Sequence, residues 1–413
     1  MAKIKAKKRG KLKPAKKSNV ARPFTPEAQL KRSIRAHFRK LGFTKAADGT
    51  LILPGTGKDV VRTLHSSQRA ERLEDCADFL KRFSKEALSH FANGDEIDPS
   101  KIRLRLIRVD SRTKDTDLFR FATLTWSVPV SNGFGRRLRY LVWDDAHDRL
   151  VGLIALGDPV FNLSVRDNLI KWNSHDRAKR LVGILDAYVL GAVPPYNMLL
   201  GGKAVACLVR SKEVFEDFKR AYGSTVGIIS GKRKHAQLLA VTTTSSMGRS
   251  SVYNRLRLEG QEYLKPIGYT LGWGHFHITD RLFEEIRKFL RVKKDHYAGN
   301  HQFGDGPNWR LRAIRKALGE LDINESVLRH GVQREVFICP FGSNALEILR
   351  TGKGKLDLSS LKTVEQISNL ARERWMVPRA ERYPGYRDWK RDSITELISR
   401  TPTGPAKLKA RAS

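Results

Sequence analysis

Cysteine is scarce in this chain of 413 residues. Only Cys76, Cys207 and Cys339 occur, an odd number at wide spacing. This pattern fits neither a disulfide framework nor a paired-cysteine zinc site. The sequence therefore predicts reduced, buried thiols and no metal site.

Long hydrophobic runs are also missing. No uninterrupted run of about 18 or more apolar residues occurs, and lysines stand where a signal peptide needs an apolar segment. Neither a membrane span nor secretion is supported, so the sequence predicts a cytoplasmic protein without a membrane partner. With 40% apolar residues, the chain can bury one large core or two smaller ones.

Acidic residues are few relative to basic ones. Lys and Arg total 78 against 43 Asp and Glu, giving a net charge of +35, and ten of the basic residues lie between Lys3 and Arg22. Without that stretch the net charge is still +25, so the folded body is basic too. Such a body attracts polyanions through counterion release, which predicts a DNA or RNA partner. The alternative is a charge that only maintains solubility.

Composition and hydrophobic spacing divide the chain into four parts. Residues 1–24 are predicted to form a disordered basic arm, and residues 25–99 an amphipathic helical segment. Residues 100–280 alternate between strand and helix patterns, which predicts an α/β core with a mixed sheet. Residues 281–413 predict a basic region of helices and loops.

Individual elements follow from the same patterns. Strands are predicted at residues 102–106, 119–128, 137–143, 149–156, 187–193, 238–244 and 267–271. Helices are predicted at residues 25–42, 60–91, 164–172, 204–222, 250–258, 281–292 and 309–318, with a loop at 296–308.

Two glycine-containing corners are candidate phosphate sites. After the strand at 187–193, Gly201 and Gly202 allow the backbone to approach a ligand closely, although such residues also punctuate ordinary loops. At the second corner, Gly248 precedes a predicted helix start, where backbone N–H groups bind anions. The candidate phosphate or nucleic-acid ligands are Tyr196, Asn197, Gly201, Gly202, Lys203, Arg249, Ser250, Ser251 and Arg255.

Candidate catalytic residues lie in or near these corners. Asp144 and Asp145 occupy a predicted hairpin turn and could act as acids, bases or magnesium ligands, or could only cap the backbone. Tyr253 could stack on a base or donate a proton, or could point inward from a capped helix. His275 and His277 would face opposite sides of a strand, so we expect one to be buried and hydrogen-bonded.

The C-terminal part carries further cations. Arg310 and Arg312 lie on a predicted helix that could contact a phosphate backbone. Residues 375–389 interleave aromatic residues with arginines, which suits base stacking. Docking of this segment onto the core through its aromatic residues is the competing interpretation.

Four blocks of sequence resemble a known family. They are LVWDDAHDRLVGLIALGDPVFNLSVRDNLIKW, LGAVPPYNMLLGGKAVACL, TTTSSMGRSSVYNRLR and IGYTLGWGHFHI. In this order they resemble the DruA family, named for the Druantia anti-phage defence system. The resemblance implies a prokaryotic defence protein that works with other defence-system proteins, and it supplies no catalytic residue set. The family's domain is also similar to a part fused to some DNA transposases.

A more distant resemblance concerns the fold. The order strand, PPYNMLLGGK, helix, strand, GRSSVYNRL and strand is similar to the central half of GNAT-type acyltransferases. Residues 248–268 also resemble Mom-type DNA-modifying relatives of that fold. This likeness implies a GNAT-like central domain, in which residues 196–203 would hold a coenzyme A-type donor.

Two functions follow from these observations. The first is a nucleic-acid-binding component of a defence system, with no catalysis required. The second is a GNAT-like transferase that modifies a nucleobase or another acceptor. A DNA-binding accessory of a mobile element is a further alternative, and the sequence leaves open whether the protein is an enzyme.

Overall fold

A computed structural model describes residues 24–47, 51–53, 55, 57–111, 113–131, 133, 135–226, 233–234, 236–295 and 309–400. The helices are α1 Pro26–Lys40, α2 Lys58–Leu64, α3 Ser66–Glu74, α4 Ala77–Leu88, α5 Lys114–Thr123, α6 Ser164–Ile170, α7 Ser174–Arg180, α8 Gly201–Leu208, α9 Lys212–Tyr222, α10 Asp280–Val292, α11 Trp309–Glu320, α12 Ala345–Thr351, α13 Val364–Ala371, α14 Val377–Arg382 and α15 Ser393–Ser399. The strands are β1 Thr44–Lys45, β2 Leu51–Ile52, β3 Leu104–Arg108, β4 Arg137–Asp144, β5 Arg149–Gly157, β6 Ile184–Ala192, β7 Thr225–Val226, β8 Arg233–Lys234, β9 Ala240–Thr244, β10 Arg257–Leu258, β11 Gln261–Glu262, β12 Lys265–Tyr269 and β13 Glu335–Pro340. Almost all of the predicted arm and the whole predicted loop at 296–308 lie outside the described residues.

A seven-stranded sheet in the order β12-β13-β9-β6-β5-β4-β3 organises the protein. The β6–β9 pair is parallel and the other neighbouring pairs are antiparallel, so the predicted mixed α/β fold is confirmed. Strand β5 is buried along nearly its whole length because helices cover both faces of the sheet. Strand β13 completes the sheet although it lies in the part that we expected to contain helices and loops.

The two faces of the sheet carry separate apolar cores. On one face, Leu156 and Leu190 pack with residues of α8, α9 and α13. On the other face, Leu153 and Val189 pack with residues of α4, α5 and α15. Each fully buried aliphatic side chain of this kind stabilises the fold by about 1.5–3 kcal/mol.

A third apolar core joins distant parts of the chain. Leu30 and Ile34 of α1 pack with Phe283 and Ile286 of α10 and with Ile314 of α11. The three- and four-residue spacing of these side chains places them on one face of each helix. Helices α10 and α11 lie in the chain between β12 and β13, so this helical unit combines the N-terminal segment with an insertion in the sheet.

Most of the predicted strands are present, and one is wrong. Residues 119–128 were expected to form a strand, but α5 covers the first part of this segment and buries Leu118, Phe119 and Phe121. A short apolar run has the same appearance in a buried helix and a buried strand, so its periodicity does not distinguish them. The strands expected at 102–106, 137–143, 149–156, 187–193, 238–244 and 267–271 are confirmed, with small shifts, as β3, β4, β5, β6, β9 and β12.

Three predicted helices require correction. The helix expected at 60–91 is divided into α2, α3 and α4, and the helix at 204–222 is divided into α8 and α9. Ser211 begins α9 because its Oγ accepts a 3.3 Å hydrogen bond from the backbone N–H of Val214. The helix expected at 250–258 is wrong, since these residues form turns followed by β10.

Other local predictions are confirmed. The Oγ1 of Thr25 caps α1, and Gly42 ends it with a positive φ of 83°, a conformation that glycine adopts without strain. The three cysteines are buried free thiols. None of the helices in the described part of the chain combines the length and apolar character that crossing a membrane requires.

Candidate functional site

The first glycine corner, residues 194–203, packs against the protein itself. A Cβ atom on Gly201 would lie 2.6 Å from the carbonyl oxygen of Tyr196, and one on Gly202 would lie 3.5 Å from Val252 Cγ1. Glycine at 201 is therefore required by a close approach within the chain. Of the predicted ligands here, Tyr196 is fully buried, whereas Asn197 is exposed and Lys203 is partly exposed.

Asp144 joins this corner to the β4–β5 turn. Its fully buried carboxylate accepts hydrogen bonds from the Tyr196 hydroxyl at 2.9 Å and from the His147 Nδ1–H at 2.6 Å. It also accepts hydrogen bonds from the backbone N–H groups of Arg103 and Ala146, at 3.0 and 3.1 Å. Burial next to this negative charge raises the pKa of Tyr196. Asp144 therefore accepts backbone hydrogen bonds, as one of the two interpretations expected.

Asp145 has different surroundings from its neighbour. Its side chain is 38% exposed, and its Oδ1 accepts a 2.7 Å hydrogen bond from the Arg105 Nε–H. The two aspartates that we considered together as candidate acids or bases are therefore separated by environment. Asp144 is an internal acceptor, and Asp145 is a surface ion-pair partner.

At the second corner, residues 248–255, an internal carboxylate occupies the expected anion position. Glu335 Oε2 accepts hydrogen bonds from the backbone N–H of Ser250 at 3.0 Å and from Asn254 Nδ2 at 2.9 Å. Ser250 is buried, whereas Arg249, Ser251 and Arg255 are exposed. These three residues keep their side chains available at the surface.

Tyr253 points inward, as one of the two interpretations predicted. Its hydroxyl donates a 2.7 Å hydrogen bond to the carbonyl oxygen of Leu190, and its ring packs edge-on against Phe337. Burial raises the pKa of Tyr253. The Tyr253 hydroxyl therefore helps to hold this turn against the sheet.

His275 and His277 lie in a turn-containing segment before α10 and not on a strand. His277 is fully buried and its Nε2–H donates a 3.0 Å hydrogen bond to the carbonyl oxygen of Val327, which confirms the expectation of one buried, hydrogen-bonded histidine. Burial lowers the pKa of His277 to about 3. Burial, with a contribution from Arg310, lowers the pKa of His275 to about 4. Both rings are therefore neutral near pH 7.

The predicted cations of α11 differ in their availability. Arg310 forms an ion pair with Asp280 and donates a 2.9 Å hydrogen bond to the carbonyl oxygen of Ile278. Arg312 is exposed on the same helix. Arg310 therefore holds the start of α10 in place, whereas the side chain of Arg312 is available at the surface.

The C-terminal aromatic segment docks onto the core. Trp375 and Tyr386 are buried in the core that includes α8 and α13, and Arg379 Nε donates a 3.2 Å hydrogen bond to the Met198 carbonyl oxygen. This confirms the docking interpretation for these residues. Tyr383 remains 42% exposed.

Sequence reasoning missed a polar network inside the sheet. Asp186 of β6 accepts a 2.7 Å hydrogen bond from the hydroxyl of Thr242 on the parallel neighbour β9. Desolvation raises the pKa of Asp186 to about 6, although the nearby Arg166 opposes this effect. A single acid within the apolar run ILDAYVLGA was the available signal.

Known proteins identify the family of this chain. A family model described as Druantia protein DruA matches residues 55–351. The curated Druantia protein DruA of Escherichia coli (strain UMEA 4076-1) is 57% identical over 373 residues, which cover 90% of this chain and 92% of that protein. No solved structure matches the chain, so the distant likeness to GNAT-type and Mom-type folds stays a prediction.

The fold and the site define a strongly basic protein with a mixed sheet, whose two glycine corners are held by internal carboxylates. The extent of both sequence matches completes the assignment. The chain belongs to the DruA family.

Proposed function

We propose that this member of the DruA family, a component of the Druantia anti-phage defence system, acts in the cytoplasm by binding nucleic acid alongside other defence-system proteins. The observation that carries the proposal is the exposed basic surface of the helical unit formed by α1, α10 and α11. Phosphate contacts supply most of the affinity of non-specific nucleic-acid binding, and clustered Lys and Arg provide them.

Helix α1 contributes the densest part of this surface. Its exposed cations are Arg32, Arg35, Arg39 and Lys40. The single acid of this helix, Glu27, forms a 2.8 Å ion pair with Lys293 next to α10. The positive potential of α1 is therefore not cancelled by acids of its own.

The adjoining helices extend the same charge. Lys288, Lys294 and Arg312 are exposed on or beside α10 and α11. Several neighbouring arginines are held by acids, including Arg310 by Asp280. The exposed cations of the three helices thus offer more positive charge than the local acids neutralise, which suits contact with a phosphate backbone.

Salt-dependent binding tests this proposal. Protein freed of nucleic acid by nuclease and high-salt washing would be titrated with labelled DNA and RNA oligonucleotides, using fluorescence anisotropy. We expect the logarithm of the association constant to fall linearly with the logarithm of salt concentration, by about 0.9 per phosphate contact on duplex DNA. A slope near zero, or no binding at low salt, would contradict the proposal.

A transferase centred on residues 196–203 receives less support from the geometry. Gly201 faces the Tyr196 carbonyl, and the Tyr196 hydroxyl is used by Asp144. These contacts give Gly201 and Tyr196 structural roles that do not require a coenzyme A-type donor. Binding of coenzyme A would raise the melting temperature by mass action, so a thermal shift measurement tests this alternative directly.

A further inference from the structure

Three exposed side chains occupy alternate positions from the last residue of β12 onward. Tyr269 is 45% exposed, Leu271 is 81% exposed and Trp273 is 46% exposed. Single exposed apolar residues are common on protein surfaces and need no explanation. A tyrosine, a leucine and a tryptophan within five consecutive residues form a patch, which we call the Trp273 platform.

Backbone contacts hold this segment in place. The N–H of Thr270 donates a 2.9 Å hydrogen bond to the carbonyl oxygen of Arg334, and the N–H of Gly331 donates a 3.0 Å hydrogen bond to that of Gly272. Gly272 has a positive φ of 67°. The Trp273 platform is thus presented to solvent by an ordered backbone, which lowers the entropy cost of binding a ligand.

Three neighbouring segments that form the platform and its surroundings contain no acid. They are residues 244–258, 263–279 and 326–334. They supply the exposed cations Arg249 and Arg329, and Arg329 pairs with Trp273 in an isolated β-bridge. Exposed aromatic rings on a segment without acids, with exposed arginines on the neighbouring segments, match the chemistry of a polyanion that carries aromatic bases.

Each of these segments is followed by one acid, and all three acids already have partners. Glu259 pairs with Lys362 and Asp280 pairs with Arg310. Glu335 lies opposite Tyr269 in the β12–β13 pair, and its backbone N–H donates a 3.3 Å hydrogen bond to the Gly248 carbonyl oxygen. Its carboxylate is buried and already accepts hydrogen bonds from Ser250 and Asn254. The Glu335 carboxylate is therefore turned away from the platform and occupied by internal donors.

We propose that the Trp273 platform stacks on unpaired bases of single-stranded nucleic acid, while Arg249 and Arg329 contact the phosphate backbone. This inference rests on the proposed function and specifies its substrate. The bases of a continuous duplex are stacked on one another, so they do not offer their faces to Trp273 or Tyr269. The platform therefore favours single strands over duplexes, whereas α1 contacts the phosphate backbone of either.

Substitution of the platform tests the inference. The double variant Tyr269→Ala and Trp273→Ala would be compared with wild type for binding an unstructured single strand and a duplex of equal length. We expect the double variant to lose about 10- to 100-fold in single-strand affinity, because stacking contributes strongly for each base. Duplex affinity should stay within about 2-fold, since phosphate contacts are retained.

Two controls match these changes. Phe161→Ala removes an exposed aromatic ring that lies near Arg177 in a different segment, and it should leave both affinities unchanged. Trp273→Phe should restore most of the single-strand affinity, because it retains a stacking ring. Because the substituted side chains are exposed, we expect the melting temperature to stay close to that of wild type.

The outcomes separate the inference from the proposed function. If the double variant keeps the single-strand affinity of wild type, the inference that the Trp273 platform stacks on bases is wrong. The proposed function would still stand in that case, because the wild-type protein binds nucleic acid. Equal losses of single-strand and duplex affinity would also contradict the inference. So would a double variant that still binds single strands but no longer captures a defence-system protein. A wild-type protein that binds neither nucleic acid would remove both proposals.

Discussion

Asp144 and Asp145 are adjacent acids with opposite environments, and they form a matched pair for mutagenesis. Asp144→Ala removes the acceptor for His147, Tyr196 and two backbone N–H groups inside the protein. We expect a loss of about 3 kcal/mol or more in the free energy of unfolding, because buried donors are left unpaired. Asp145→Ala removes one exposed ion pair with Arg105 and should cost less than about 1 kcal/mol.

Urea denaturation followed by circular dichroism measures both changes. Equal losses in the two variants would show that the Asp144 carboxylate does not stabilise the fold as an internal acceptor. A preserved near-ultraviolet spectrum at low urea would confirm that the Asp144 variant remains folded before its stability is compared.

Asp186 gives a prediction about pH. Desolvation raises its pKa to about 6, so the folded protein holds this proton more tightly than the unfolded chain does. The stability it contributes is fully present below about pH 4 and is lost as the pH rises through about 6. Asp186→Asn stays neutral and can still accept the Thr242 hydrogen bond, so we expect it to be more stable than wild type above about pH 6, by up to about 3 kcal/mol.

The difference between variant and wild-type stability, measured across this range, isolates Asp186 from other titrating groups. The difference should shrink toward zero near about pH 4. Asp145→Asn, which replaces an exposed acid, is the control variant measured alongside it. A flat difference curve for Asp186→Asn would contradict the raised pKa.

The positions of several site residues could be predicted from sequence, but their partners could not. Turn chemistry predicted a hairpin turn beginning at Asp144, and the structure has the turn at residues 145–148 with Asp144 as the last residue of β4. Its contact with Tyr196 spans 52 residues, and the contact of Ser250 with Glu335 spans 85. Such contacts depend on strand order and register, which local patterns do not contain. The expected phosphate position at Ser250 was therefore filled by a carboxylate that sequence reasoning had not connected to it.

At the scale of single elements, α1 and α4 allow a matched test of nucleic-acid binding. Three of the exposed cations in each helix can be replaced together, Arg35, Arg39 and Lys40 in α1 and Lys81, Arg82 and Lys85 in α4. The α1 triple alanine variant should bind more weakly, with a smaller salt slope by up to about 0.9 for each lost contact. The α4 variant should bind like wild type, because Asp78 and Glu86 offset its charge.

Fluorescence anisotropy at several salt concentrations measures both slopes. Equal slopes for the two triple variants would mean that α1 is not a preferred contact surface. Melting temperatures would be compared as well, since these side chains are exposed and their removal should leave stability nearly unchanged.

Elements were predicted best where one pattern was dominant. Strands β4, β5 and β6 are long apolar runs bounded by turn residues, and all three were found. Helix α5 was mistaken for a strand because its buried phenylalanines crowd into one short segment. The turns at 250–256 were mistaken for a helix because a serine after glycine is also typical of a helix start. In both segments, tertiary contacts determine the secondary structure that forms, and local sequence patterns do not contain them.

At the scale of the whole molecule, sequence order and spatial order differ. Helix α1 is close to the N-terminal end of the described chain, yet it packs on α10, which lies in the insertion between β12 and β13. Strand β13 returns to the sheet after that insertion and lies between β12 and β9. Composition predicted a mixed fold and a basic body, but only long-range packing places the cations of α1 and α11 in one helical unit.

The charge distribution of the whole chain leads to the last prediction. Residues 1–22 carry ten basic residues and no acid, and the remainder still has a net charge of +25. Deleting residues 1–22 should therefore weaken nucleic-acid binding and reduce its salt slope, because fewer counterions are released. Binding should persist through the body, including α1. A full-length variant with glutamine at the ten basic positions should match the deletion, since charge and not length is the cause. Loss of all binding in both would mean that the arm alone carries the interaction, and an unchanged slope would mean that it carries none.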